Sequence, residues 1–188
     1  VLGPHCAVMY CRDIGAPDLA NLNHMFMDDY QGPGRLEPGA FPYELLYAAA
    51  GVPDYLDELG ARLGNNGDRM LAWTAVATQE TRLAGLLLEF LDAQPAVEIM
   101  GSASAGPQRM PTISFVSSRH LSSDIPAICD CHGIGIRWGH FYAPRLIDRL
   151  GLTQRNGVVR VSMLHYNTEQ DVNRLIGALE PALQGRAA

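Results

Sequence analysis

The stretch Asn156-Gly157-Val158-Val159-Arg160-Val161-Ser162-Met163-Leu164-His165-Tyr166-Asn167-Thr168, running on into Glu169 to Leu179, decides the fold. Val158, Val159, Val161, Met163 and Leu164 form an apolar run of strand length, and Arg160 is the only charge inside it. Thr168 and Asp171 have the spacing of a capping box, which specifies where the following helix starts. The segment therefore reads as a buried strand that turns sharply into a helix and holds Arg160 on rigid elements. A fixed cation there needs an anionic partner. Either an acid on a neighbouring element supplies a structural ion pair, or the planar guanidinium clamps a ligand carboxylate through two parallel hydrogen bonds.

Working outward, the second half alternates short strands and helices: Val97 to Met100, Thr112 to Val116, a helical Asp124 to His132, Ile134 to Trp138, a helical Ala143 to Leu150, Val158 to Leu164, and the helix from Glu169. Such interleaving predicts an α/β or α+β fold, a sheet with helices packed on it. Upstream lie two long helical segments, Tyr43 to Leu63 and Asp68 to Ala93, parted by Gly64-Asn65-Asn66-Gly67; Pro53 is expected to kink the first. A first strand is expected over Cys6 to Tyr10 and a short helix over Pro17 to Met27. The Gly- and Pro-rich stretch Gln31 to Pro42 is expected to be a loop.

These residues carry a resemblance that periodicity does not supply. Arg160-x-Ser162-x-x-x-Tyr166-Asn167-Thr168 before a helix resembles the C-terminal motif of class V aminotransferases, the pyridoxal-phosphate family that includes the cysteine desulfurases. Three further segments resemble that family in the same chain order. Val1-Leu2-Gly3-Pro4-His5 is similar to the stretch after the Schiff-base lysine. Arg35-Leu36-Glu37-Pro38-Gly39-Ala40 is similar to a loop that reaches the cofactor phosphate of the partner subunit. Gly135 to Pro144 resembles the loop that bears the catalytic cysteine of desulfurases.

The resemblance implies the α+β small domain of a fold-type I enzyme in residues 41–188, with the connecting long helices, preceded in residues 1–40 by the tail of the large domain. It implies pyridoxal 5'-phosphate as cofactor, an amino-acid substrate and a homodimer. It puts the substrate carboxylate on Arg160 and a second arginine, Arg137, at the substrate mouth. His140 and Tyr142 are then candidate hydrogen-bond donors to substrate, although Trp138, Phe141 and Tyr142 equally suit an aromatic packing cluster. Gly39 and Ala40 fall at the phosphate loop, where alanine replaces the family's threonine and removes a hydroxyl donor.

The chain contains no lysine; its 14 basic residues are all arginine. A guanidinium that stays protonated cannot replace the Schiff-base amine. The resemblance places that lysine immediately before Val1 and so implies a fragment that is not a competent enzyme by itself. The desulfurase cysteine falls at Tyr142, and a phenol cannot act as the sulfur-accepting thiolate. A persulfide-forming reaction is therefore disfavoured.

Composition limits the alternatives. A net charge of −6 offers no basic cluster for nucleic acid. No apolar stretch spans a bilayer and no signal-peptide pattern opens the sequence, which gives a cytoplasmic protein as the expectation. Cys129-Asp130-Cys131-His132 lacks a second ligand pair at matching spacing, since Cys6 and Cys11 lie far away, so free thiols rather than a metal site are expected. The competing reading of the whole chain is a noncatalytic dimerisation or binding domain that kept the fold and lost the cofactor.

Overall fold

The computed structural model describes residues 7–12, 20–21, 25–26, 28–29, 32–36, 42–64 and 68–185. The chain divides into two compact units, Val1–Arg69 and Met70–Ala188.

In the first unit, helix α1 (Tyr43–Arg62) continues through Pro53 as one uninterrupted helix. Gly60 is required there, because a Cβ would stand 2.5 Å from the Asp68 carbonyl oxygen. Arg69 and Asp57 form an exposed ion pair in the same unit. The expected loop before α1 contains a short 3-10 turn, Gly32–Leu36. Two expectations from the sequence are corrected. Ala7 to Tyr10 form no strand; Val8, Met9 and Tyr10 are exposed, and among the described residues no strand pairs with this segment to take up its backbone groups. Within the expected helix Pro17 to Met27, the described residues Ala20, Asn21, Met25 and Phe26 are irregular or turn, and Met25 and Phe26, expected on its apolar side, are exposed and bury nothing that would hold a helix there.

The second unit is built on a four-stranded, fully antiparallel sheet of order β1-β2-β4-β3, formed by β1 (Val97–Met100), β2 (Thr112–Ser117), β3 (Arg137–Gly139) and β4 (Val158–Ser162). The alternation of each strand separates two faces. On one face Ile113, Phe115, Val159 and Val161 pack against α2 (Arg69–Asp92), α3 (Ile125–Asp130) and α5 (Glu169–Gln184) in the main core. Leu83, Leu87 and Leu91 recur every fourth residue on α2, while Val172, Leu175, Leu179 and Leu183 line the inner side of α5. Leu83 and Leu179 have no solvent exposure, so truncating either to alanine costs about 2 to 5 kcal/mol. The opposite face carries a smaller cluster of Val116, Ile147, Leu152 and Val158 under α4 (Pro144–Arg149). Arg160 belongs to this second face.

Candidate functional site

The strand-to-helix corner behaves as its sequence demands. β4 ends at Ser162 because the next pair in register, Met163 with Pro111, can form only half of its ladder bonding: Met163 donates its N–H to Pro111 O at 3.0 Å, and proline has no N–H to return. Asn167 then closes a turn, accepting from Leu164 N at 2.9 Å through its side-chain oxygen and donating its own N–H to Leu164 O at 2.9 Å. Thr168 caps α5: its hydroxyl accepts from Asp171 N at 3.2 Å, and the Asp171 carboxylate accepts from Thr168 N at 2.9 Å. Those bonds hold the Asp171 carboxyl below its ordinary range, the Thr168 backbone N–H first among the causes.

Arg160 sits mid-strand with Ser114 of β2 on one side and Arg137 of β3 on the other, each its direct cross-strand partner. Among the described residues no carboxylate pairs with Arg160. Its Nε is buried and has no hydrogen-bond partner among the described residues. Its Cζ lies 3.9 Å from the centroid of the Phe141 ring, well inside the range of a cation–π contact. Arg137 is exposed and donates from Nη1 to the carbonyl of Ile136 at 3.0 Å. Like charges set directly opposite one another in a sheet repel. An anion placed between them would offset the repulsion and give the buried Arg160 Nε–H an acceptor.

Beyond β3 the chain enters a tight loop. Phe141 and Tyr142 both have left-handed backbones, φ 47° and 61°. For bulky residues this is rare and costs on the order of 1–3 kcal/mol each. Two hydrogen bonds to His140 hold the turn: Tyr142 N donates to Nδ1 at 3.1 Å and Ala143 N to the carbonyl at 2.8 Å. His140 therefore spends Nδ1 within the loop, leaving Nε2 as its outward nitrogen. Tyr142 is fully exposed, and its one ring neighbour among the described residues is His140, edge-on at 6.4 Å, so of the two alternatives for Trp138, Phe141 and Tyr142 the aromatic packing cluster does not form among the described residues. The reason is the loop backbone, which sends Phe141 inward and Tyr142 outward.

A cleft of about 270 Å³ beside this loop is lined by Trp138, His140, Pro144, Ile147 and Asn156 among others. Neither arginine lines it, so the cleft and the arginine face are separate features. Gly39 and Ala40 lie outside the described residues. Cys129 is buried in the main core, and burial, then the neighbouring Asp130, pushes its thiol up to about 11; Cys131 is exposed. Among the described residues no group of histidine, cysteine, aspartate and glutamate side chains is arranged to hold a metal, and no helix is long and apolar enough to cross a membrane. Two contacts escaped the sequence reading. Phe141 under Arg160 leaves no mark in residue pattern beyond its place two residues after Gly139. His165, with Glu80 carboxylate oxygen 3.8 Å from its Nδ1, depends on a helix 85 positions upstream by residue number.

The antiparallel sheet backed by helices, with a strand turning into a capped helix beside Arg160, is an α/β arrangement that occurs as part of fold-type I enzymes. The apo cysteine desulfurase of Thermococcus onnurineus shares this architecture: TM-score 0.66 and 26% identity, over 84% of this chain and 35% of that one. The family model for Aminotransferase class-V matches residues 67–175, and the chain belongs to that family. Among curated relatives, the aminotransferase-like protein FGM3 of Gibberella zeae is 37% identical over 97% of this chain and 44% of its own length. A nonribosomal peptide synthetase-like enzyme, fsqF of Aspergillus fumigatus, is 32% identical over 98% of this chain and 12% of its own. The chain thus spans less than half of the relatives it matches.

The family's cofactor is pyridoxal 5'-phosphate. The residues present here do not fit its covalent attachment, because the chain holds no lysine and arginine cannot form the Schiff base. What the described residues offer is a buried guanidinium N–H without an acceptor, on Arg160, with a second arginine opposite it.

Proposed function

We propose that this chain is the C-terminal part of a pyridoxal-phosphate-dependent class V enzyme that acts on an amino acid or related amine. In this reading Arg160 binds the substrate α-carboxylate, Arg137 assists from the adjoining strand, and His140 and Tyr142 border the substrate. Gly39 and Ala40 belong to a loop facing the cofactor phosphate across a homodimer, and residues 1–40 are the tail of a large domain whose lysine, upstream of Val1, carries the cofactor. The chain alone is then inactive, and the parent protein is cytoplasmic. The observation that carries this reading is Arg160 itself: a partly buried guanidinium with an unpartnered Nε, no described acid beside it and a second arginine opposite.

The role of these residues is binding and orientation. Arg160 is set by β4 and by the ring of Phe141, so a carboxylate that pairs with it is held in one plane relative to the sheet. Tyr142 stands where desulfurases have their thiol, and a phenol does not accept sulfur in that manner, so a persulfide-forming reaction is not proposed.

The test is an absorbance spectrum of protein expressed from a reading frame that includes the upstream sequence, with pyridoxal phosphate added and then borohydride. A visible band, fixed by borohydride onto a lysine upstream of Val1, is expected. No band and no labelled lysine would overturn the enzyme reading in favour of a binding module.

A further inference from the structure

We propose that Phe141 is a positioning residue that fixes the guanidinium of Arg160 for anion binding. The inference rests on the reading of Arg160 as an anion site. An arginine prepared for a ligand is ordinarily held by a carboxylate or carbonyl on its far side. Among the described residues Arg160 has no hydrogen bond or ion pair of that kind; the contact that orients its head group is the face of Phe141, 3.9 Å from Cζ. A guanidinium stacks on an aromatic face, and with one face covered it accepts a carboxylate edge-on, in its own plane.

The loop is built to deliver that ring. Phe141 takes a left-handed backbone that bulky residues avoid, and so does Tyr142 after it. Strain of this kind persists where the surroundings over-determine it, and here they do. His140 accepts both following backbone N–H groups, Tyr142 at its ring and Ala143 at its carbonyl. At the base of the loop Gly157 lies so close to the Gly139 backbone that a Cβ on Gly157 would collide with it. The ring itself packs against the cluster of Val116, Ile147, Leu152 and Val158. Phe141 is thereby anchored on its apolar side and presents its other side to Arg160, while Tyr142 is released outward.

The test is NMR on the 188-residue chain, following the Arg160 Nε–H resonance and the amides of residues 137, 139 and 160 during titration with sodium acetate against chloride at constant ionic strength. Phe141→Leu, which keeps apolar bulk and removes the π face, is expected to weaken acetate binding about three- to tenfold. Phe141→Tyr, which keeps the ring, is expected to stay within about twofold of the parent. Equal acetate affinity in a folded Phe141→Leu variant, with the response lost in Arg160→Met, overturns the role of Phe141 and leaves Arg160 as the anion site. Equal loss in the leucine and tyrosine variants also overturns it, since the loop would then serve structure alone. An acetate response that survives Arg160→Met overturns the anion site and this proposal with it.

Discussion

Arg137 and Arg160 are direct cross-strand partners on β3 and β4, two like charges on one face of the sheet with no described carboxylate between them. Their unequal burial predicts unequal effects. In the complete protein, Arg160→Ala is expected to weaken binding of a carboxylate substrate by about 2 to 5 kcal/mol, as when a desolvated charge pair loses one partner. Arg137 is exposed, so Arg137→Ala should cost about 1 kcal/mol or less. Titration calorimetry with the substrate or a carboxylate inhibitor separates the two; unchanged affinity in a folded Arg160→Ala variant removes its clamp role.

Gly157 approaches Gly139 across the β4–β3 edge so closely that a Cβ would lie 2.3 Å from the Gly139 carbonyl oxygen, and its φ is +81°. Neither fault can be relieved by a side-chain rotation, because the obstacle is backbone. Gly157→Ala is expected to destabilise the chain by about 3 kcal/mol. Urea unfolding should show a lower midpoint with an unchanged slope; an unchanged midpoint would mean that β3 can move away freely.

Much of the second unit was legible because its signals are local. The apolar run around Arg160 and the Thr168/Asp171 spacing place β4 and α5 to within two residues at the strand end and at the helix start, since capping depends on neighbours in sequence. β3 was expected at Ile134 to Trp138 and lies at Arg137–Gly139. Ile134 is apolar enough for a strand, but its N–H is taken by Cys129 O at 3.0 Å in closing α3, and the ladder starts only where β4 offers a partner. The antiparallel order β1-β2-β4-β3 rests on long-range pairing that no local pattern encodes. The same holds for the arginine site. Arg160 stands out as a lone charge in a strand, whereas its contact with Phe141 depends on two left-handed residues that propensity argues against.

Thr168→Ala removes the hydroxyl half of the capping box and is expected to lower stability by about 1 kcal/mol at neutral pH. Its pH dependence is a sharper check. The Asp171 carboxyl is held below its ordinary value of 3.8 in the folded chain. Its stabilisation is therefore complete above that value and is lost as pH falls from there through the lower folded value, where protonation removes the acceptor for Thr168 N. Without the Thr168 hydroxyl, part of that depression disappears. The stability gap between parent and variant should narrow on acidification across this window. A gap that stays constant from neutral pH to pH 3 would show that the two halves of the box act independently.

Cys129 and Cys131 are two residues apart yet should react very differently. Cys129 faces the main core with no solvent exposure, and its thiol is pushed up to about 11 by burial and then by Asp130. At pH 8 about one molecule in a thousand would carry the thiolate, and that thiolate would be shielded from reagent. Cys131 lies just past the end of α3 and is exposed. Brief iodoacetamide treatment of the native chain, read by tandem mass spectrometry of the peptide that spans both, should alkylate Cys131 and spare Cys129. Prior denaturation in urea should make the two equivalent. Alkylation of Cys129 in the native chain at a rate near that of Cys131 would mean that α3 opens readily from the sheet, and the packing of Ile125 and Cys129 into the main core would have to be given up.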